Sequence, residues 1–292
     1  MNHPATENCI VGCGDIGLRV ARRLQQSGQS VEAIVRSEQS RQKIRESGVC
    51  AAVRIHDLDA GAPQIGAAHI YWFAPPPRTG DSDPRLRAWL SSLDERPRRV
   101  VYISTSGVYG DCGEQWIDEE APVRPKSDRA RRRADAEEAL ASLSPPNTAH
   151  MILRVPGIYG PGRMPLARLR KKLPVVDDGD PLAPPRWTNR IHSEDLADIA
   201  VAAMDRGRDR RVYNATDGHP STMCDYFSRC AQALGLPLPP RISFDQARET
   251  LSPQMLSFLE ESRRIHNLRI RDELGVKLRY PDLSTGLPAS MT

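Results

Sequence analysis

The chain has 292 residues, a length that fits one large domain or a large and a small one. Its 41 basic and 37 acidic side chains leave a formal net charge of +4, too balanced to indicate a nucleic-acid or membrane-surface partner. No run of about eighteen apolar residues and no secretory signal is found, so we expect a cytoplasmic protein that spans no membrane. The six cysteines and seven histidines show no metal-ligand spacing, so we expect no metal site.

Short apolar strands and helices alternate through the first half of the chain. The predicted strands are 8–12, 30–35, 49–55, 68–74, 99–104 and 149–155, and the predicted helices are 15–27, 38–47, 83–94 and 128–143. Alternation at this spacing is typical of βαβ units, which form a parallel sheet covered on both faces. The sequence therefore predicts the α/β class, with a doubly wound sheet of the Rossmann type.

Beyond residue 156 the alternation loosens, and proline and glycine become frequent. Helices are still predicted there at 193–206, 221–235, 245–263 and about 267–274. We expect a dinucleotide-binding domain over residues 1–156. Residues 157–292 are expected to form a smaller α+β substrate or cap domain that is interleaved with the first.

A glycine-rich segment, GCGDIG, lies between the first predicted strand and the first helix. Glycine permits a tight turn and close approach of the backbone to a pyrophosphate, and the positive helix N-terminus favours that negative charge. Such a motif alone can be a plain strand-to-helix turn, but its place between strand and helix favours a dinucleotide. The residues assigned to the cofactor here are Gly12, Gly14, Asp15, Ile16 and Gly17.

The end of the second strand indicates which dinucleotide is bound. NAD-binding sheets place an acidic residue about twenty residues after the glycines, where this chain has Arg36 and Ser37. A guanidinium can pair with a 2′-phosphate, so we prefer NADP(H) to NAD(H), although Arg36 could also be a solvated loop residue. Asp57 and Leu58 follow the third strand, where they could contact the adenine, although Asp57 could instead cap a turn. Ala74 and Pro75, at the end of the fourth strand, are assigned to the same site.

Hydroxyl side chains follow the strand predicted at 99–104. Ser104, Thr105 and Ser106 come at its carboxyl end, over the crevice where a cofactor's reactive ring would lie. They could hold a substrate carbonyl or hydroxyl by hydrogen bonds, and Ser104 is assigned to the cofactor. A turn rich in serine and threonine is the simpler alternative.

Three later segments complete a pattern: LRVPGIYGPG at 153–162, NRIHSEDLADIA at 189–200 and VYNATDGHPST at 212–222. Together with GCGDIG and ISTSGVYGD, they make the chain resemble the short-chain dehydrogenase/reductase superfamily, in its extended, epimerase/dehydratase-like branch. The resemblance implies a catalytic hydroxyl at Thr105, with Ser106 beside it. It also implies a nicotinamide-side loop, formed by Pro156, Gly157 and Ile158.

The chain departs from that family in its acid–base pair. Aligned on Glu137, the family's Tyr-x-x-x-Lys motif places Arg129 at the tyrosine and Arg133 at the lysine. Arg133 could still hold the nicotinamide ribose, but an arginine cannot act as a general acid near neutral pH. Tyr109 and Tyr159 are candidate substitutes for the tyrosine, and packed loop aromatics are the alternative. We include Tyr109 among the catalytic candidates.

Two classes of function remain. The first is an NADP(H)-dependent oxidoreductase or epimerase that acts on a carbonyl or sugar-like small molecule. The alternative is a non-catalytic NADP(H)-binding regulatory or redox-sensing protein that has lost the tyrosine. Arg163 and Arg190 would flank the cleft and could bind an anionic substrate, or could be surface residues. A homodimer is possible through the helices at 83–94 and 128–143.

Overall fold

A computed structural model describes residues 6–93, 97–177, 185–251, 256 and 259–291. The strands are β1 (Asn8–Val11), β2 (Val31–Val35), β3 (Ala52–Ile55), β4 (His69–Trp72), β5 (Arg99–Thr105), β6 (Trp116–Ile117), β7 (Ala149–Val155), β8 (Gly157–Tyr159), β9 (Val175–Val176), β10 (Trp187–Thr188), β11 (Arg190–His192), β12 (Arg211–Asn214), β13 (Ser221–Thr222), β14 (Arg241–Ile242) and β15 (Arg264–Ile265). The helices are α1 (Asp15–Gln26), α2 (Glu38–Ser47), α3 (Pro84–Ser91), α4 (Asp128–Leu143), α5 (Leu166–Arg170), α6 (Ser193–Arg206), α7 (Met223–Ala233), α8 (Phe244–Thr250), α9 (Leu268–Asp272) and α10 (Leu283–Ala289). A short 3₁₀ helix covers Ser106–Tyr109.

Seven parallel strands form the central sheet, in the order β3-β2-β1-β4-β5-β7-β12. The chain runs outward in one direction from β1 to β3 and in the other from β4 onward. The order therefore reverses between β1 and β4, and ligands of such sheets bind outside the carboxyl ends at that point. The predicted Rossmann-type α/β fold is confirmed.

Helices cover both faces of this sheet. On one face α1 and α6 pack together over strand residues such as Ile10 and Tyr71. On the other face α3 and α4 pack over Cys9, Val11 and Trp72, whose indole stacks on Trp89 at 4.8 Å between ring centroids. Alternate residues of β1 thus enter opposite cores, because successive side chains of a strand point to opposite faces.

The second half of the chain does not stand apart from the sheet. It supplies the seventh strand, β12, which pairs with β7. Its other described strands form four small two-stranded pairs, and one of them joins β15 to β6 of the first half. A third core, under α5, α7 and α10, includes Tyr159, Leu169, Phe227 and Leu283. In the part of the chain described, no helix is long and apolar enough to cross a bilayer.

Three predicted elements differ from the structure by three residues or more at one end. The strand predicted at 49–55 begins only at Ala52, and the helix predicted at 83–94 ends at Ser91. The prediction of one helix over 245–263 was wrong, because α8 ends at Thr250 and Leu251 is extended. Residue 94 of the former helix, and 252–255, 257 and 258 of the latter, lie outside the described residues.

Candidate active site and cofactor cavity

The glycine loop follows β1 directly and is shaped by steric requirements. Gly12 has a φ of +81°, and a Cβ there would lie 2.4 Å from the backbone nitrogen of Ala74, so no other residue fits. A Cβ on Gly17 would lie 3.0 Å from the Ile10 side chain. The absence of a side chain at Gly17 therefore lets α1 pack closely against the sheet. At Gly14 the nearest atom would be 4.0 Å away, so its backbone is open to a ligand.

A cavity of about 700 Å³ lies at the point where the strand order reverses. Eight of the residues predicted to bind the cofactor line it: Gly12, Gly14, Arg36, Ser37, Asp57, Leu58, Ala74 and Pro75. These residues follow four neighbouring strands, β1 to β4. The structure thus brings them together at one edge of the sheet.

The charge on this cavity wall depends on which arginines are already paired. Arg85 is bound by Asp59, with 2.6 Å between its Nε and Oδ1. Arg41, outside the cavity, is bound by Glu38 at 2.7 Å. In the described part of the chain, no carboxylate lies within ion-pair distance of Arg36, which is exposed and lines the cavity. Its guanidinium is therefore available to an anion.

Several residues predicted to bind the cofactor have other partners instead. Asp15 accepts a hydrogen bond of 2.6 Å from Nε of Arg163, so these two residues link the glycine loop to the loop after β8. Ser104 is buried and donates to Glu137. Ile16 is buried in the core beneath α1. These residues support the loops around the cavity and do not line its wall.

A second cavity, of about 320 Å³, lies over the carboxyl ends of β5 and β7. The predicted residues on its wall are Thr105, Ser106, Pro156, Gly157, Ile158 and Arg190. The Thr105 side chain accepts a hydrogen bond of 3.2 Å from the backbone N–H of Gly107. The Thr105 hydroxyl can therefore still donate a hydrogen bond to a group in the cavity.

The two arginines at the family's Tyr and Lys positions behave differently. Arg129, in the first turn of α4, lines the second cavity, and partial burial lowers the pKa of its guanidinium. Arg133 turns toward the sheet, where it donates to the backbone oxygen of Ile103 and to the Tyr102 hydroxyl at 3.2 Å. Both arginines are therefore partly buried in the fold.

The two candidate tyrosines do not lie on the wall of the second cavity. The Tyr109 hydroxyl donates to Oδ1 of Asn214 at 2.7 Å, and Arg154 stacks on its ring at 4.7 Å. Burial raises the pKa of Tyr109 to about 12. The Tyr159 hydroxyl donates to the backbone oxygen of Asp282 at 3.1 Å. Both hydroxyls are thus engaged away from Thr105.

Sequence reasoning missed the residues that close the second cavity from the second half of the chain. They include Trp187, Met223, Tyr226, Glu261 and Arg263. Glu261 pairs with Arg263, whose Nε also donates to the backbone oxygen of Gly110 at 2.9 Å. Trp187 could have been noticed, because it lies just before the NRIHSEDLADIA segment. Glu261 and Arg263 carry no local signal.

The sequence also matches known families and structures. The NAD dependent epimerase/dehydratase family profile matches residues 85–216, and the Ketopantoate reductase PanE/ApbA profile matches residues 8–64. A structure of a functionally unknown conserved protein from Silicibacter pomeroyi DSS is 33% identical over 97% of this chain and 96% of that one, with a TM-score of 0.84. The chain belongs to the epimerase/dehydratase-like branch of the short-chain dehydrogenases/reductases.

Two further relatives are similar over nearly their whole length. Protein YeeZ of Escherichia coli K12 is 27% identical and is covered over 96% of its length by 94% of this chain. A double mutant of DesIV, a dTDP-glucose 4,6-dehydratase from Streptomyces venezuelae with NAD and DAU bound, is 18% identical. The two structures superpose over 97% of this chain and 95% of the DesIV chain, with a TM-score of 0.75. This epimerase/dehydratase-like chain therefore has the same fold as DesIV.

Proposed function

We propose that this protein is an NADP(H)-dependent oxidoreductase or epimerase that acts on a carbonyl or sugar-like small molecule. The observation that supports the proposal most directly is the set of residues that line the second cavity. Thr105 and Ser106 lie there together with the Pro156–Ile158 loop, at the same sheet edge as the glycine loop and its larger cavity. Hydrogen-bond donors and a dinucleotide cavity at one edge are what carbonyl reduction requires.

The larger cavity fits a dinucleotide phosphate. The open backbone at Gly14 and the N-terminus of α1 would hold the pyrophosphate. Arg36 and Ser37 would bind the 2′-phosphate, since a guanidinium fork matches phosphate geometry. When bound, the cofactor supplies or accepts a hydride at its nicotinamide. Pro156, Gly157 and Ile158 would hold that ring.

The chain's own residues would polarise the substrate oxygen. Thr105 accepts from Gly107, so its O–H can donate to the substrate. Arg129 would stabilise negative charge on that oxygen as a fixed cation, and it cannot release a proton near neutral pH. Glu261, the single carboxylate among the described lining residues, is paired with Arg263, so we assign the proton that reduction requires to water in the cavity.

Calorimetric titration tests the cofactor. We expect NADPH to bind more tightly than NADH. Arg36→Ala should lower the affinity for NADPH at least about tenfold, because one charge-assisted contact is lost, and should leave the affinity for NADH unchanged. Arg41→Ala is the matched control, since Arg41 is bound by Glu38 on the same helix and lies outside the cavity. Equal affinity for both nucleotides would overturn the NADP(H) assignment.

A screen for turnover tests catalysis. NADPH oxidation is followed with a panel of ketones, aldehydes and nucleotide-linked keto-sugars. For a compound that reacts, Thr105→Ala should lower kcat at least about a hundredfold in a protein that is still folded and still binds NADPH. The regulatory alternative is favoured by Arg129 at the tyrosine position. Tight NADPH binding without turnover of any panel member would support it instead.

A further inference from the structure

Arg190 is a buried cation on the wall of the second cavity. It lies on β11 with 7% of its surface exposed. Its guanidinium donates to the backbone oxygen of Asn189 at 2.8 Å and to the sulfur of Met223 at 3.1 Å, and it lies over the Tyr226 ring at 4.2 Å. None of the acidic side chains that the structure describes forms an ion pair with it. A buried charge without a counter-charge is costly.

The fold makes room for this guanidinium at one particular place. Arg190 pairs with Gly157 in the register of β11 and β8. A Cβ on Gly157 would lie 2.9 Å from Nη1 of Arg190, so the guanidinium occupies the space that a side chain would fill. Gly157 belongs to the loop assigned to the nicotinamide side. The charge is thus held beside the position proposed for the chemistry.

The balance of charge in the cavity favours an anion. Its described lining residues carry three guanidinium groups, on Arg129, Arg190 and Arg263, against the single carboxylate of Glu261. That carboxylate is already engaged by Arg263. Asp217 lies close, since its N–H donates to the backbone oxygen of Arg190 at 2.8 Å, but burial raises its pKa to about 7. It is therefore a weak counter-charge near neutral pH.

We propose that the substrate carries an anionic group, a carboxylate or a phosphate ester, and that Arg190 binds this group and positions the substrate in the second cavity. The proposal rests on the proposed function and specifies its substrate class. A forked guanidinium binds carboxylate and phosphate oxygens in pairs. The Tyr226 ring beneath it and the Asn189 oxygen beside it fix the plane of the fork.

Calorimetry on the NADPH-saturated protein tests the proposal with simple probes. Oxamate represents a carboxylate, inorganic phosphate represents a phosphate ester, and oxamide is the neutral counterpart of oxamate. We expect one of the anions to bind and oxamide not to bind. Arg190→Met should lower the affinity for that anion at least about thirtyfold, as expected when a buried charge contact is removed. Arg229→Met is the matched control, because Arg229 is exposed on α7 and paired with Asp225.

The outcomes separate this proposal from the proposed function. Failure of NADPH to bind the wild type would count against the proposed function. Normal NADPH binding with no preference for either anion over oxamide, or an unchanged anion affinity in Arg190→Met, would overturn the role of Arg190 alone. If Arg190→Met does not fold, Arg190→Gln replaces it, since a glutamine can still donate to the Asn189 oxygen but carries no charge. Unchanged anion binding in that variant would equally overturn the proposal.

Discussion

Gly12 and Gly14 are two glycines of one loop with different physical roles. A methyl group at Gly12 would collide with the backbone at Ala74 in a left-handed conformation, so Gly12→Ala should lower the free energy of unfolding by about 3 kcal/mol. Gly14→Ala should change it by no more than about 1 kcal/mol, since the site is open and serves as a helix N-cap. Urea unfolding measures both effects.

The same pair tests the cofactor loop. In Gly14→Ala the added methyl group points into the space assigned to the pyrophosphate, so NADPH should bind at least about tenfold more weakly to a protein that is still folded. Unchanged NADPH affinity in a folded Gly14→Ala variant would show that the backbone at this position does not contact the cofactor.

Tyr109 provides a contrast to Thr105. Tyr109→Phe removes the hydroxyl that donates to Asn214, so the free energy of unfolding should fall by about 1 kcal/mol. Turnover should stay within about twofold of the wild type, because this hydroxyl lies outside the cavity that holds Thr105. A loss of kcat as large as that of Thr105→Ala, at unchanged NADPH affinity, would instead make Tyr109 the proton donor.

At the scale of elements, the cofactor edge was predictable because its signals are local. Gly12, Arg36, Asp57, Ala74 and Thr105 each lie at the carboxyl end of a strand or within two residues of it, and a parallel sheet brings all such positions to one edge. The sequence alone therefore predicted this half of the site from the order of its elements.

The far wall of the second cavity could not be predicted in the same way. Glu261 and Arg263 reach it because β15 pairs with β6, so that Arg264 lies opposite Trp116. Strands of two residues show no periodicity, and a contact between positions about 150 residues apart leaves no local pattern. The single helix predicted over 245–263 overlooked Pro253, which disfavours the helical conformation in the residue before it.

A buried ion pair holds α4 against β7. Nη2 of Arg154 lies 2.7 Å from Oε2 of Glu137, and both side chains are buried, with Ser104 donating to the same carboxylate. Glu137→Gln should lower the free energy of unfolding by about 3–5 kcal/mol, because Arg154 would stay buried without its counter-charge. Glu138→Gln, on the exposed side of the same turn, should have an effect within about 0.5 kcal/mol. Equal effects in urea unfolding would contradict this role.

At the scale of the whole molecule, two buried groups should set opposite dependences of stability on pH. Nδ1 of His192 accepts the N–H of Glu194 at 3.2 Å and so caps α6 in its neutral form. Burial, together with the nearby Arg19, lowers the pKa of His192 to about 4. The folded state therefore binds fewer protons than the unfolded state between about pH 4 and 6.5. As the pH decreases through this interval, the free energy of unfolding decreases by up to about 3 kcal/mol.

Asp217 has the opposite effect. Burial raises its pKa to about 7, and the nearby carboxylates of Asp282 and Asp195 act in the same direction. The N–H of His219 and the guanidinium of Arg190 oppose this rise, because they stabilise the ionised carboxylate. The folded state binds the extra proton between about pH 4 and 7, so this group lowers stability as pH rises, by up to about 4 kcal/mol. The two effects nearly cancel over the same interval of pH.

Substitutions that do not titrate should expose each effect. His192→Asn keeps a capping side chain, and Asp217→Asn keeps an acceptor for the His219 N–H. Relative to wild type, His192→Asn should gain stability as pH falls from 7 to 4, and Asp217→Asn should gain it as pH rises over the same range. Other titrating groups are common to all the proteins and cancel in these differences, so the double variant should show the sum. Parallel profiles for the wild type and both single variants in urea unfolding would show that neither group is perturbed by burial.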